Sequence, residues 1–168
     1  MISALRIVVI GSGIAGLTAA RRLEELGHVV SVLDKGRRPG GRLATRILDG
    51  GALADHGAQF LTVRSELFRA RVAGWLADGT VLEWCRGFSC ADGHPRYAAA
   101  GGMARLGACM AAGLDVRQSV RVECVRPVMD GWVVSWPAGR GAPAGSIEAN
   151  AVVLSAPVPQ SAALLPVM

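Results

Sequence analysis

The chain opens on an apolar run, Leu5 to Ile10 with Arg6 near its start, that stops at once in Gly11-Ser12-Gly13-Ile14-Ala15-Gly16. A short apolar run closed by glycines predicts a buried strand and a tight turn. The period then changes. Ala15, Ala19, Leu23 and Leu26 recur at helical spacing, while Arg21, Arg22, Glu24 and Glu25 lie off that stripe, which predicts an amphipathic helix ended by Gly27. Val29 to Leu33 is a second buried run and delivers Asp34 at its end, 18 positions after Gly16.

Further along, Leu43 to Leu48 and Ala52 to Leu53 read as short extended segments around an Asp49-Gly50-Gly51 turn. Ser65 is placed to open a helix with Leu67, Phe68, Val72, Trp75 and Leu76 as its apolar positions, and Asp78-Gly79 to end it. Val81 to Trp84 reads as a strand, followed by a stretch containing Cys, Gly and Pro up to Pro95. A helix is expected from Gly101-Gly102-Met103 to about Ala112. Leu114 to Val116 and Ser119 to Val125 are β-like, and the Asp130-Gly131 turn leads to alternation over Trp132 to Trp136. After a Gly/Pro loop at Pro137 to Gly145 come Ser146 to Glu148 and a buried, parallel strand at Ala151 to Leu154. That strand ends in Ser155-Ala156-Pro157, at the carboxyl edge where an open α/β sheet presents ligands. Neither a repeat nor a linker between independent domains is visible.

Strand, glycine turn, helix, strand and terminal acid together form a dinucleotide-binding fingerprint. Gly11 permits the turn, Gly13 lets main chain approach a pyrophosphate, and Gly16 allows helix and strand to pack closely. The helix N-terminus, with Ser12, Ile14 and Ala15 around it, turns free N–H groups and a positive dipole end toward the phosphates. A carboxylate at Asp34 accepts hydrogen bonds from a ribose diol and repels a 2′-phosphate, so the expected ligand is FAD or NAD rather than NADP. In Asp34-Lys35-Gly36-Arg37-Arg38-Pro39-Gly40-Gly41-Arg42, the paired glycines permit close approach and Arg42 offers a planar fork of donors to a diphosphate.

That stretch resembles the extended FAD signature of the amine-oxidase-like flavoproteins. The likeness continues through Asp49-Gly50-Gly51-Ala52-Leu53-Ala54-Asp55-His56-Gly57-Ala58-Gln59-Phe60-Leu61-Thr62-Val63-Arg64, which resembles the renalase family and its bacterial members in particular. Weaker matches run on through Trp75, Glu83-Trp84, Gly102-Met103, Trp132 and Ser155 to Gln160. The resemblance implies an α/β, Rossmann-type FAD/NAD(P)-binding fold with a β-meander crossover. Residues 1–64 and 98–168 would form the FAD domain, and 65–97 part of a substrate domain. FAD is the implied cofactor, contacted by the glycine loop, Asp34, Lys35, Gly41, Arg42, Gly57, Ala58, Gln59, Phe60, the main chain at Val122, and Ala156.

Gln59 suits flavin or ribityl atoms because it both donates and accepts, although it could equally satisfy nearby main chain. His56 beside Asp55 reads as hydrogen-bonded scaffolding. Trp75, Trp84, Phe88 and Tyr97 are candidates to line a pocket for a planar ring, or simply core. The implied reaction is hydride transfer from misreduced dihydronicotinamide dinucleotides to FAD, with dioxygen reoxidation giving H2O2. It requires no acid–base residue, and none is assigned. The alternatives are a flavin amine oxidase or carotenoid-desaturase type of enzyme, or a non-catalytic dinucleotide-binding fragment.

Length and composition change the picture in one respect. By length, 168 residues suit one domain, whereas the resembled family is about twice as long. A missing second half is therefore expected, and with it self-association or a partner chain. A hydrophobic content of 51% and a mean hydropathy of +0.36 agree with uncovered surface. Membrane residence is not expected, because no run reaches the roughly 18 uncharged apolar residues of a spanning helix. A secretory signal around Ile7 to Ala20 is set aside, since its cleavage would remove the phosphate loop. The net charge of +5 is almost all arginine, with Lys35 the only lysine, and no basic stripe interleaves with aromatics. That argues against nucleic acid as a partner and leaves a small-molecule substrate, a dihydronicotinamide dinucleotide isomer or an amine. Cys85, Cys90, Cys109 and Cys124 form no C-x-x-C pair and His28, His56 and His94 complete no zinc pattern. Reduced thiols in a cytoplasmic protein with no metal site are the expectation.

Overall fold

The computed structural model of the chain describes residues 3–88, 93–139 and 141–166. Cys90 lies outside the described residues, as do Arg140 of the Pro137 to Gly145 loop and the final Val167 and Met168. The chain divides into two compact units, Met1–Gly41 with Met110–Met168, and Arg42–Cys109.

The first unit begins with β1 (Arg6–Ile10), α1 (Ile14–Glu25) and β2 (Val29–Leu33). The second follows with β3 (Thr45–Ile47), β4 (Leu53–Asp55), β5 (Leu61–Thr62), α2 (Glu66–Ala77), β6 (Val81–Arg86), β7 (Pro95–Ala99) and α3 (Met103–Ala111), which runs to the boundary. The chain then returns to the first unit as β8 (Asp115–Arg117), β9 (Cys124–Val128), β10 (Gly131–Trp136), β11 (Gly145–Ala149), β12 (Ala151–Leu154) and α4 (Val158–Ala162).

A parallel sheet in the order β12-β1-β2-β8 organises the first unit. Apolar residues stand on both faces because both are covered, as a parallel sheet requires. On one face Val9, Val30 and Val32 pack on Ala20 and Leu23 of α1. On the other, Val8, Ile10 and Leu33 meet Val120, Val122, Val125, Val134 and Ala149. Those last residues come from the antiparallel meander β9-β10-β11 and the segment leading into it. The sequence thus folds into the expected Rossmann-type α/β unit with a β-meander as its crossover.

Within the second unit, β5, β6 and β7 form one antiparallel sheet and β3 and β4 a hairpin. Ser65 caps α2 as expected, accepting from the Phe68 N–H at 3.3 Å. Asp55 Oδ1 accepts from the Met103 N–H at 2.9 Å and from the Thr45 hydroxyl, and Thr45 Oγ1 accepts from the Ala104 N–H at 2.9 Å. Two side chains of the hairpin therefore satisfy donors in the first turn of α3.

Several elements differ from the sequence expectation. The buried side of α1 is Gly16, Leu17 and Ala20, with Leu23 beside them, whereas Ala15 is exposed and Leu26 is 55% exposed at the helix end. The residue of closest approach is a glycine, which carries no hydrophobic signal, so the apolar period placed the stripe one position early. Ser119 to Val125 becomes strand only from Cys124. Before that, the Ser119 N–H bonds to Gly36 O and the Val120 N–H to Asp34 O, which carries the chain across the end of β2. In α2 the inward positions are Phe68, Val72 and Trp75, while Leu67 is 87% exposed. Strand β7 and the short α4 were not expected. The first begins at Pro95 and finds its partners only in the tertiary structure; the second has Pro157 at its N-cap and Pro159 in its first turn, where a missing N–H costs nothing.

Candidate dinucleotide site

The phosphate loop is fixed by contacts that only small residues permit. A Cβ at Gly16 would stand 2.0 Å from Gly11 O and 2.7 Å from Ser155 Oγ, so the first turn of α1 lies directly on the loop. Gly11 itself adopts φ +108°, in the region that favours glycine. Ser155, just past β12, donates through Oγ to Ile10 O at 3.0 Å or Gly11 O at 3.1 Å, stitching the second strand end to the first. Gly40 donates its N–H to Ser12 O at 2.7 Å, and a Cβ at Gly41 would come within 3.1 Å of Gly13 Cα. The Gly40-Gly41 pair and the glycine loop are thereby in main-chain contact.

Above this frame the loop is open. A Cβ at Gly13 would meet nothing within 4 Å, and Ile14 and Ala15 are exposed. Gly13 precedes α1 without a side-chain cap, and no acidic residue occupies the first turn. Uncapped N–H groups at a helix start, facing open space, have the chemistry of an anion seat. Ser12 Oγ is buried and has no hydrogen-bond partner among the described residues.

Asp34 is held at the end of β2. Its Oδ2 accepts from the Ser12 N–H at 2.5 Å and its Oδ1 from the Gly36 N–H at 2.6 Å. The carboxylate therefore braces the loop, a role that sequence reasoning missed, and each oxygen retains a lone pair for a diol. Lys35 is exposed and donates to Gln160 Oε1 at 2.9 Å. Beside them is a hollow of about 470 Å³ lined by Lys35, Arg37, Ser119, Arg121 and Glu123. The Val122 side chain is buried in the core, while its main chain makes no hydrogen bond to a described residue. Ala156 follows Ser155, and its carbonyl accepts from Ser161 Oγ at 3.0 Å.

In the second unit Arg42, Gly57 and Ala58 are brought together. The Ala58 N–H donates to Arg42 O at 2.9 Å, and a Cβ at Gly57 would fall 1.9 Å from the same oxygen. The Arg42 side chain and Gln59 are exposed. Phe60 is half-buried, with ring centroids 6.0 Å from Trp84 and 5.8 Å from Phe88. Trp75 instead packs edge-on against Phe68, and Tyr97 lies in β7 opposite Leu61 and Glu83. His56 is exposed, and its N–H donates to Ala44 O at 3.1 Å. Arg96, between Pro95 and Tyr97, was not singled out by any pattern in the sequence, yet its guanidinium lies 4.0 Å from the Phe88 ring centroid.

Among the described residues no helix is long and apolar enough to cross a membrane. Residues 9–74 match the family model of the NAD(P)-binding Rossmann-like domain. Lysine-specific histone demethylase 1 homolog 1 of Arabidopsis thaliana is 50% identical over 60 residues, 33% of this chain and 7% of that protein. The flavin-dependent L-tryptophan oxidase RebO of Lentzea aerocolonigenes is 53% identical over 49 residues, 29% of this chain and 10% of that one. The chain thus matches about a tenth or less of the length of these relatives. Among solved structures, putrescine oxidase bound to putrescine superposes with a TM-score of 0.68 at 16% identity, over 92% of this chain and 58% of that one. A fatty acid isomerase from P. acnes does so with a TM-score of 0.75 at 12% identity, over 100% and 63%. The matched loop, helix and strand are thus those of a Rossmann-like NAD(P)-binding domain, a part this chain shares with flavin-dependent relatives.

Proposed function

We propose that this chain is the FAD-binding part of a renalase-type oxidoreductase, which oxidises misreduced dihydronicotinamide dinucleotides. The observation that carries the FAD site is the uncapped start of α1, with open space over Gly13 and Asp34 braced beside it. The family resemblance assigns the N–H groups of that turn and the Arg42 guanidinium to the diphosphate, Asp34 to the adenosine ribose and the Val122 main chain to the adenine. Ala156 and Gly57 to Phe60, with Gln59 as donor and acceptor, complete the contacts. Bound FAD supplies the hydride acceptor and, through dioxygen, the route to H2O2. A dihydropyridine gains aromaticity by giving up hydride, so no side chain of this chain is assigned as acid or base. Residues 1–64 and 98–168 serve the cofactor and 65–97 the substrate, in a cytoplasmic protein whose remaining substrate surface comes from further chain, a partner or a second copy. A second reading, oxidation of an amine, is favoured by the tryptophan oxidase and putrescine oxidase among its relatives.

Titration of the chain with FAD, followed by flavin fluorescence, tests the site. Gly13→Asp puts a negative charge where the phosphates sit, and Arg42→Ala removes charge-assisted hydrogen bonds worth about 1.5–3 kcal/mol. Both should weaken binding at least tenfold, and unchanged affinity in both variants overturns the assignment. Peroxide release from dihydronicotinamide isomers, set against release from primary amines, separates the two substrate readings.

A further inference from the structure

Arg96 carries a charge that no acid among the described residues balances. Its Nε and one terminal nitrogen are buried and have no hydrogen-bond partner among the described residues. Two buried donors without acceptors are costly, because each forfeits its bond to water. Its neighbours are ring faces. The Phe88 centroid lies 4.0 Å and the Phe60 centroid 5.5 Å from the guanidinium carbon. Ring faces offset part of the charge by cation–π attraction, but they supply no acceptor in the plane of the fork. The one acidic side chain on the adjoining β6, Glu83, is already engaged by Arg86 through both oxygens, at 2.7 and 3.0 Å.

The rings are themselves poorly covered. Phe88 is 71% and Trp84 51% exposed, although they contact each other and Phe60 at 5.8 to 6.2 Å. A cation lacking acceptors beneath aromatic rings that lack cover is complementary to one kind of molecule, an anion with a flat apolar body. A carboxylate fits the fork in bidentate fashion, and its body takes the place of water on Trp84 and Phe88. An amine has the wrong sign, and inorganic phosphate would leave the rings bare.

We infer that Arg96, with Phe60, Trp84 and Phe88, forms a binding site for an aromatic carboxylate, the guanidinium taking the carboxyl group and the rings taking the body. Calling that ligand a substrate rests on the proposed oxidoreductase function; its binding does not, and is measured without flavin. Asp92, outside the described residues, is the nearest carboxylate to Arg96 in the sequence.

The test is calorimetric titration of the full chain with benzoate, benzyl alcohol and inorganic phosphate, with FAD affinity recorded separately. Benzoate should bind saturably, at least tenfold more tightly than either of the others. Arg96→Met should weaken benzoate at least tenfold and leave FAD affinity unchanged. Arg96→Lys, which keeps the charge and loses the fork, should cost several-fold and serves where the methionine variant does not fold. Absent benzoate binding, equal binding of benzyl alcohol, or an affinity unmoved by either Arg96 variant overturns the site. So does benzoate binding that appears only in Asp92→Asn, which would make the chain's own carboxylate the occupant. Loss of FAD binding with benzoate binding intact would strike the proposed function and leave the site standing.

Discussion

A methyl group at Gly57 would stand 1.9 Å from Arg42 O, one at Gly16 would stand 2.0 Å from Gly11 O, and one at Gly13 would touch nothing within 4 Å. The same substitution therefore has opposite expected outcomes at residues that look alike in the sequence. Gly16→Ala and Gly57→Ala press on main chain that cannot swing aside, and overpacking of this kind costs about 1–3 kcal/mol. Gly13 holds φ −70° and ψ 173°, which alanine adopts freely, so Gly13→Ala should change stability by less than about 0.5 kcal/mol. Urea unfolding of the three variants checks this ordering. The special roles of Gly11 and Gly16 were legible in their spacing. That of Gly57 was not, because its neighbour Arg42 is remote in sequence and nothing local marks the contact. Asp34 was half legible: the pattern placed it at a strand end for a ligand, but its bonds to the Ser12 and Gly36 N–H groups depend on the folded loop.

The start of α3 is capped from outside the helix. Asp55 holds the Met103 N–H and Thr45 the Ala104 N–H, and the two side chains bond to each other. Loss of a side-chain cap costs about 0.5–2 kcal/mol. Asp55→Ala should fall in that range, and Thr45→Val, which also loses the donor to Asp55, in the same one. Because the pair shares a network, the double variant should cost less than the sum of the singles by at least about 0.5 kcal/mol, as read from urea midpoints. Elements with their own punctuation were legible in the sequence: β1 ended by Gly11, β2 begun after Gly27, α2 from Ser65, and the meander from its Asp130-Gly131 turn. Strand β7 was missed because Pro95-Arg96-Tyr97 has no apolar alternation, and its strand character comes from pairing with β5 and β6. The rotation of α1 was missed because the packing that fixes it is centred on a residue without a side chain.

At the scale of the chain, a ligand that binds only the folded state stabilises it by mass action, by about 2.7 kcal/mol at a hundred times its dissociation constant. ADP and FAD share the diphosphate and adenosine and should both raise the melting temperature, whereas riboflavin should leave it unmoved. Asp34→Ala should shrink the shifts with ADP and FAD alike; equal shifts with riboflavin and FAD would place the binding energy outside the glycine loop. The division into compact units falls at Gly41/Arg42 and Cys109/Met110, while the family resemblance implied boundaries at residues 64/65 and 97/98. Proximity along the folded main chain draws the first pair of boundaries and the expected cofactor and substrate roles the second, and no local signal in the chain distinguishes them. The central strand carries a consequence in time. β1 pairs on one side with β2, which follows almost at once, and on the other with β12, so that Ile7 waits for Ala151 and Ile10 for Leu154. At about 5–20 residues per second, a ribosome leaves that edge of Ile7 to Ile10 without a partner for roughly seven to thirty seconds. An unpaired apolar edge is the template on which chains join one another, so the nascent protein is most vulnerable over that interval, and a chaperone that shields its first ten residues meets the need.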